Sequence, residues 1–192
     1  MSISGTVLSG EGFGASVGYC RWRLVAGPGW ALVRGAAAGH SQTCGGGAVG
    51  DSLLFAAPLD AVLASRSLLG WPQLQVSVWS VDAHGRHALA GYGLARVPAA
   101  AGAHAVEVAC WAPEAGGPCS RAAATAFFLG APPEFDDASA VADGRARRRL
   151  TTATTGSVLV ELGVLCRGFE EAGVELPGPG RPAAAGRAPA PL

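Results

Sequence analysis

The chain has 192 residues, a formal net charge of zero, and 15% charged side chains. That balance excludes a long-range field that would draw in nucleic acid or an acidic membrane, though it leaves room for a local patch. The length is that of one domain with a tail, and it suffices to bury a core.

Every basic residue is an arginine; lysine and asparagine are absent, and Ile3 is the only isoleucine. A GC-rich coding sequence explains this bias and the alanine and glycine abundance together. Alanine runs are therefore discounted as helix signals. The five cysteines (Cys20, Cys44, Cys110, Cys119, Cys166) are scattered and contain no CxxC pair. The N-terminus lacks a basic region followed by an apolar one, so no secretory signal is read. SLLFAAPLDAVLAS is interrupted by Pro58 and Asp60, and VLVELGVLC by Glu161, so neither is a membrane span. A reduced, intracellular, soluble protein with buried thiols is expected.

In chain order, Ser2 to Leu8 reads as a first strand. Tyr19 to Val25 alternates Cys20, Trp22 and Leu24 against Arg21 and Arg23, the pattern of a half-buried strand. GPGW at 27–30 is a turn, and Trp30 to Arg34 the expected partner strand across it. CGGGAVGD at 44–51 is too glycine-rich to pack and reads as a mobile connection. Ser52 to Ala64 carries one or two strands around Pro58. Leu74 to Val81, Leu89 to Val97 and His104 to Trp111 follow at nearly even spacing. Such spacing argues for an antiparallel sandwich or barrel and against alternating βαβ units. Residues 114–156 break the pattern: SRAAATAFFLG reads as a short helix ending at Gly130, and PPEFDD and RARRR follow it. The last strand, Ser157 to Arg167, places Val158, Val160, Leu162, Val164 and Cys166 on one face. Glu161 and Arg167 share the other face with Leu159 and Leu165, which reads as partly covered. From residue 177 onward the Pro/Ala/Gly composition has too few apolar anchors to fold and reads as a disordered tail.

The stretch from Gly70 to Gly93 is the most structured in its chemistry. Trp71 before Pro72 forces an extended entry. Leu74, Val76 and Val78 point one way, and Gln75, Ser77 and Trp79 the other. Asp82-Ala83-His84-Gly85 is a turn in which Asp82 can cap backbone amides and Gly85 can take a positive φ. Gly91 and Gly93 would let Tyr92 sit in a tight bend or bulge. His84 and His87 have no cysteine or carboxylate at ligand spacing, so they read as solvated turn residues and not as zinc ligands. His40 and His104 are no better placed. No nucleophile elbow, no cysteine beside a base and no phosphate loop is present. Asp51, Asp60, Asp82 and the pair Asp136 and Asp137 are too dispersed for calcium unless the fold gathers them. No catalytic residue, cofactor or metal is assigned. The run Arg145, Arg147, Arg148 and Arg149 is the one concentrated charge. It reads as a solvated loop, with contact to an acidic partner or anionic lipid as the functional alternative.

Taken together, YCRW, GW, PLD, GWPQLQVSVWSVDAHGR, LAGYGLARVP and LTTATTGSVLVELGVLCRGFEEAGVEL, in that order, resemble the B9-domain family. The similarity spans about residues 2–176. The joint pattern GWP-x-L-x-x-x-VWS-x-D-x-x-GR with AGYG-x-x-x-VP is far more specific than any short motif within it. CGGGAVGD, residues 112–150 and the tail depart from the family pattern.

The resemblance implies an all-β, C2-like antiparallel β-sandwich over residues 2–176, with a short helical insertion and a disordered tail at 177–192. It implies a non-enzymatic scaffold of the Meckel-syndrome complex at the ciliary transition zone, serving cilium assembly and gating. The compartments implied are cytoplasm, cytoskeleton, basal body and transition zone. The partners implied are B9 domain-containing protein 1 and the Meckel syndrome type 1 protein. Arg21, Trp22, Arg23, Trp71, Trp79, Arg145, Arg147, Arg148 and Arg149 are the candidate partner contacts, because tryptophan and arginine often anchor interfaces. A peripheral membrane module binding anionic ciliary lipids through basic loops is the alternative; no nucleic acid is expected.

Overall fold

The structure, a computed structural model, describes residues 1–46, 52–114, 141 and 151–177. Among the described residues ten strands follow in chain order: β1 (Ser2–Glu11), β2 (Val17–Val25), β3 (Trp30–Gly35), β4 (Ala38–His40), β5 (Cys44–Gly45), β6 (Leu53–Ser65), β7 (Gln73–Val81), β8 (His87–Arg96), β9 (Gly102–Pro113) and β10 (Thr152–Leu165). They form one antiparallel sheet in the order β3-β6-β1-β10-β9-β8-β7-β2-β4, with β5 pairing β2 beside it. The expected all-β fold is present, and the sandwich is this sheet curled on itself.

The curl is made at the β8–β9 seam, where only Tyr92↔Trp111 and Gly93↔Cys110 pair. On one side lie β3, β6, β1, β10 and β9; on the other β8, β7, β2 and β4. Alternation with period two sends one face of each half inward. Ile3, Val7, Leu59, Val158, Val160, Leu162 and Val164 come from the first half. Cys20, Trp22, Leu74, Val76 and Val78 come from the second, and all belong to a single core cluster. The inward rows of β7 and β10 are the ones the alternation predicted. The outward face of β10 is more open than expected, with Leu165 65% exposed.

Two local expectations change, and one open alternative is resolved. Trp30 to Gly35 does not fold back on β2; it pairs with the end of β6, Trp30 opposite Ser65 and Gly35 opposite Ala61. The reason lies in the GPGW turn. Gly27 N–H donates to the Gly70 carbonyl (2.7 Å), which ties the turn to the β6–β7 connection. Trp30 then packs edge-on against Trp71 (5.3 Å between ring centroids), so the chain crosses to the other half. The glycine-rich connection is ordered at its start. Cys44 and Gly45 pair with Gly18 and Val17, and Gly46 N–H donates to the Ser16 carbonyl. Of the one or two strands read over Ser52 to Ala64, the structure has one, Leu53–Ser65. Pro58 is accommodated opposite Thr6 where β6 has β1 as its ladder partner, because β3 pairs only Ala61–Ser65. A proline there costs no second ladder bond.

The helix read at 120–130, the run at 145–149, Cys119 and the tail beyond Pro177 lie outside the described residues. No helix among the described residues is long and apolar enough to cross a membrane.

Candidate interaction surface

The β7–β8 hairpin forms as its turn residues dictate. Gly85 adopts φ +76° and donates its N–H to the Asp82 carbonyl (3.0 Å). Asp82 Oδ1 accepts the His84 and Arg86 amides (2.8 and 2.9 Å), and Oδ2 accepts Arg86 Nε–H (2.6 Å). These donors, the Arg86 amide foremost, favour the ionised carboxylate and hold its pKa down at about 2. The folded value lies below the unfolded one, so this contribution is complete above about pH 4 and is lost as pH falls through about 2. An NMR titration should show the His84 and Arg86 amides moving with a midpoint near 2, and Asp82→Asn should abolish the transition. A midpoint near 4 would mean the carboxylate is not held in this way.

Tyr92 does not sit in a bulge as expected: it pairs Ser77 of β7 and Trp111 of β9, and the bulge lies two residues before it. The register slips between Val78↔Gly91 and Trp79↔Leu89, leaving Ala90 as the extra residue. The flanking glycines serve close packing. A Cβ at Gly93 would lie 2.7–2.8 Å from Val108, Cys110 and Val76 side chains, and one at Gly91 would press on Thr155 Oγ1. Tyr92 takes the opposite face and joins Leu89, Trp111 and Val141 in a second apolar cluster, with Trp79 packed against it.

On that outer face the structure brings together two residues the sequence reading had named separately. Arg21 lies with its guanidinium carbon 5.4 Å from the Tyr19 ring centre and 5.1 Å from that of Trp79. Tyr19 and Trp79 are directly opposite across β2 and β7, and their rings are parallel within 7°. Arg21 Nη2 donates to the Tyr19 hydroxyl (3.3 Å), and the His87 ring meets Tyr19 edge-on. Each cation–ring contact at an exposed site contributes about 0.5–1 kcal/mol, and the pair restricts a side chain that otherwise has many rotamers. Arg23, two residues along the same face, is exposed. Among the described residues Arg86–Asp82 is the only ion pair, so neither Arg21 nor Arg23 has a carboxylate partner there. His40 is opposite Arg21 on β4.

The remaining candidates divide. Trp22 is 4% exposed and belongs to the core, which removes it as a partner contact. Trp71 is an internal brace: its Nε1–H donates to the Val97 carbonyl (2.7 Å), and its ring packs against Trp30 and Phe169. The Trp22 correction has a plain cause, since a large aromatic side chain gains as much from a core as from an interface; Trp71 stays half-buried. Arg145, Arg147, Arg148 and Arg149 lie outside the described residues.

Sequence reasoning missed Tyr19 and His87, although Tyr19 shares the Arg21/Arg23 side of the YCRWR alternation. It also missed Leu68 and Leu69, which stand 45% and 79% exposed on the loop after β6. That loop is braced by Ser65 and Ser67 hydroxyls bonded to its own backbone. A cavity of about 600 Å³ lies beside it, lined by Met1, Val33, Leu63, Leu68, Phe169 and Val174 among others.

No group of three or more His, Cys, Asp or Glu among the described residues is placed to hold a metal ion. Burial pushes the thiols of Cys20 and Cys110 up to about 12, so neither is a thiolate near neutral pH. The surface is therefore one of recognition groups: a stacked arginine, a second arginine with no carboxylate partner among the described residues, and a partly exposed tryptophan.

Comparison with known proteins supplies the family. Residues 1–165 match the family model B9-C2, described as "Ciliary basal body-associated, B9 protein". Human B9 domain-containing protein 2 is 35% identical over 173 residues, covering 90% of this chain and 97% of the relative. The Drosophila melanogaster B9 domain-containing protein 2 is 33% identical over the same length, at 90% and 96% coverage. Xenopus laevis B9 domain-containing protein 1 is 29% identical over 174 residues, at 90% and 87%. Among solved structures, a C2 domain of plant Extended Synaptotagmin 1 aligns with a TM-score of 0.39 and 12% identity, over 84% of this chain and 91% of that one. The resemblance read from the hairpin motif is thus matched over nearly the whole folded region, and the chain belongs to the B9-C2 family of ciliary basal body-associated B9 proteins.

Proposed function

We propose that this chain is a non-enzymatic scaffold of the B9 assembly at the ciliary transition zone, bridging B9 domain-containing protein 1 and the Meckel syndrome type 1 protein. Through that bridge it serves cilium assembly and gating. The observation that carries the reading is the likeness to B9 domain-containing protein 2 across 90% of this chain. The Arg21–Tyr19–Trp79 face supports it, because arginine, tyrosine and tryptophan are the residue types that dominate binding energy at protein interfaces.

Tagged protein purified from ciliated cells under gentle conditions should recover both partners, and a paired Arg21→Glu, Trp79→Ala variant should recover at least tenfold less. Recovery of no other B9 protein by the wild-type chain would overturn the proposal. The lipid alternative rests on Arg145, Arg147, Arg148 and Arg149, the one concentrated charge in the sequence. It predicts pelleting with acidic liposomes in the absence of any partner. That binding should collapse on charge reversal at those arginines and as ionic strength rises.

A further inference from the structure

We propose that the outer face of β2 and β7 is a receptor for carboxylates, and that its occupant is a protein segment presenting two acidic side chains about 7 Å apart. The proposal rests on reading the chain as an interaction module and names the chemistry of what that module binds. Arg21 and Arg23 alternate with inward Cys20 and Trp22 on one strand, so their side chains leave the same face two residues, about 7 Å, apart. An extended segment with Asp or Glu at alternate positions has the same repeat, which lets both guanidiniums be met in register.

The Arg21 site is built in advance. Its guanidinium lies over two ring faces, and one N–H is held by the Tyr19 hydroxyl. The remaining N–H groups have no acceptor among the described residues, and the stacked plane is the geometry that takes a carboxylate through two parallel bonds. Beside it the half-buried Trp79 ring offers apolar surface. An apolar side chain two positions before the acidic residue that meets Arg21 shares its face and would cover that ring, exclude water and strengthen the ion pair. The fixed strand spacing of the two guanidiniums matches the alternate side chains of an extended protein segment, a repeat that mobile lipid headgroups do not carry.

Two probes test this on the full chain. The first is a capped strand peptide with a valine at its first position and glutamates at its third and fifth, compared with its glutamine twin. The glutamate peptide should shift the Nε–H resonances of Arg21 and Arg23, and the glutamine twin should not. Arg21→Lys, which keeps the charge but loses the planar stack, should weaken peptide binding about tenfold. Arg21→Glu with Arg23→Glu should remove it, while Arg34→Glu with Arg167→Glu, an equal charge change at exposed sites elsewhere, should leave it unchanged. Loss of the two ring contacts of Arg21 should lower the thermal midpoint of its variants by about 2–8 °C, and an unchanged far-ultraviolet circular dichroism spectrum should confirm folding.

The second probe is co-expressed B9 domain-containing protein 1. Binding of that partner unchanged by the double arginine reversal would overturn the carboxylate proposal and leave the scaffold reading standing. Peptide recognition with no B9 partner bound would do the reverse. Equal shifts from the two peptides would overturn the carboxylate proposal. So would binding to phosphatidylserine vesicles through Arg21 and Arg23 with the peptide inert.

Discussion

Replacing Gly5 by alanine is expected to cost about 3 kcal/mol of stability, seen as a drop of about 6–12 °C in the thermal midpoint. β1 is the central strand of its half, with Gly5 opposite both Leu59 of β6 and Leu162 of β10. A Cβ at this position would collide with the main-chain carbonyl oxygen of Glu161. A side chain in the way can rotate aside, but a ladder carbonyl cannot. Relief would require β1 and β10 to separate, and β1 is pinned at its start, where the Met1 ammonium donates to the Leu63 carbonyl (2.9 Å). Gly163→Ala is the matched control. Its Cβ would meet Ser4 Oγ at 3.2 Å and the Ser4 carbonyl oxygen at an ordinary 3.5 Å, and it should shift the midpoint by no more than about 2 °C. Far-ultraviolet circular dichroism on heating measures both. Equal midpoints for the Gly5 variant and wild type would show that the two strands do not approach as described.

Leu74→Ala is expected to remove about 3 kcal/mol, whereas Leu69→Ala, five positions earlier, should change stability by less than about 0.5 kcal/mol. The residues have the same chemistry and differ in place. Leu74 is fully buried on the inward row of β7, opposite Leu24 of β2 and Ala95 of β8. Truncating it loses the transfer energy of its methyl groups and leaves a cavity that rigid flanking strands cannot close. Leu69 projects from its loop and loses almost nothing that folding had gained. A domain of this size has about 5–15 kcal/mol in total, so the first change should move the urea midpoint plainly at unchanged slope. Similar losses from the two substitutions would contradict the assignment of β7.

Much of this was legible before any coordinates. Period-two alternation named the inward rows Leu74, Val76, Val78 and Val158, Val160, Leu162, Val164, because a half-buried strand has no other way to separate oil from water. The Asp-x-x-Gly turn formed as its capping and φ preferences require. The order of motifs through the hairpin pointed to the family that the comparisons then matched. Even the burial of Trp22 was implicit, since the same alternation set it beside Cys20 and Leu24 and opposite the arginines. Naming it as a partner anchor ran against that pattern, and the pattern prevailed.

Partner choice and convergence were decided only in three dimensions. Nothing local says that Trp30–Gly35 leaves β2 for the far end of β6; the tie from Gly27 to Gly70 joins positions 43 residues apart in the chain. Nor does local sequence place Trp79 opposite Tyr19, which depends on the β2–β7 register. The stacking of Arg21 on both rings follows from that register alone. Alternation is dictated by each strand's own contact with water, and so it is written along the chain. Which strands meet, and in what register, is decided by the packing of the whole core, and here that packing turned two separately named residues into one site.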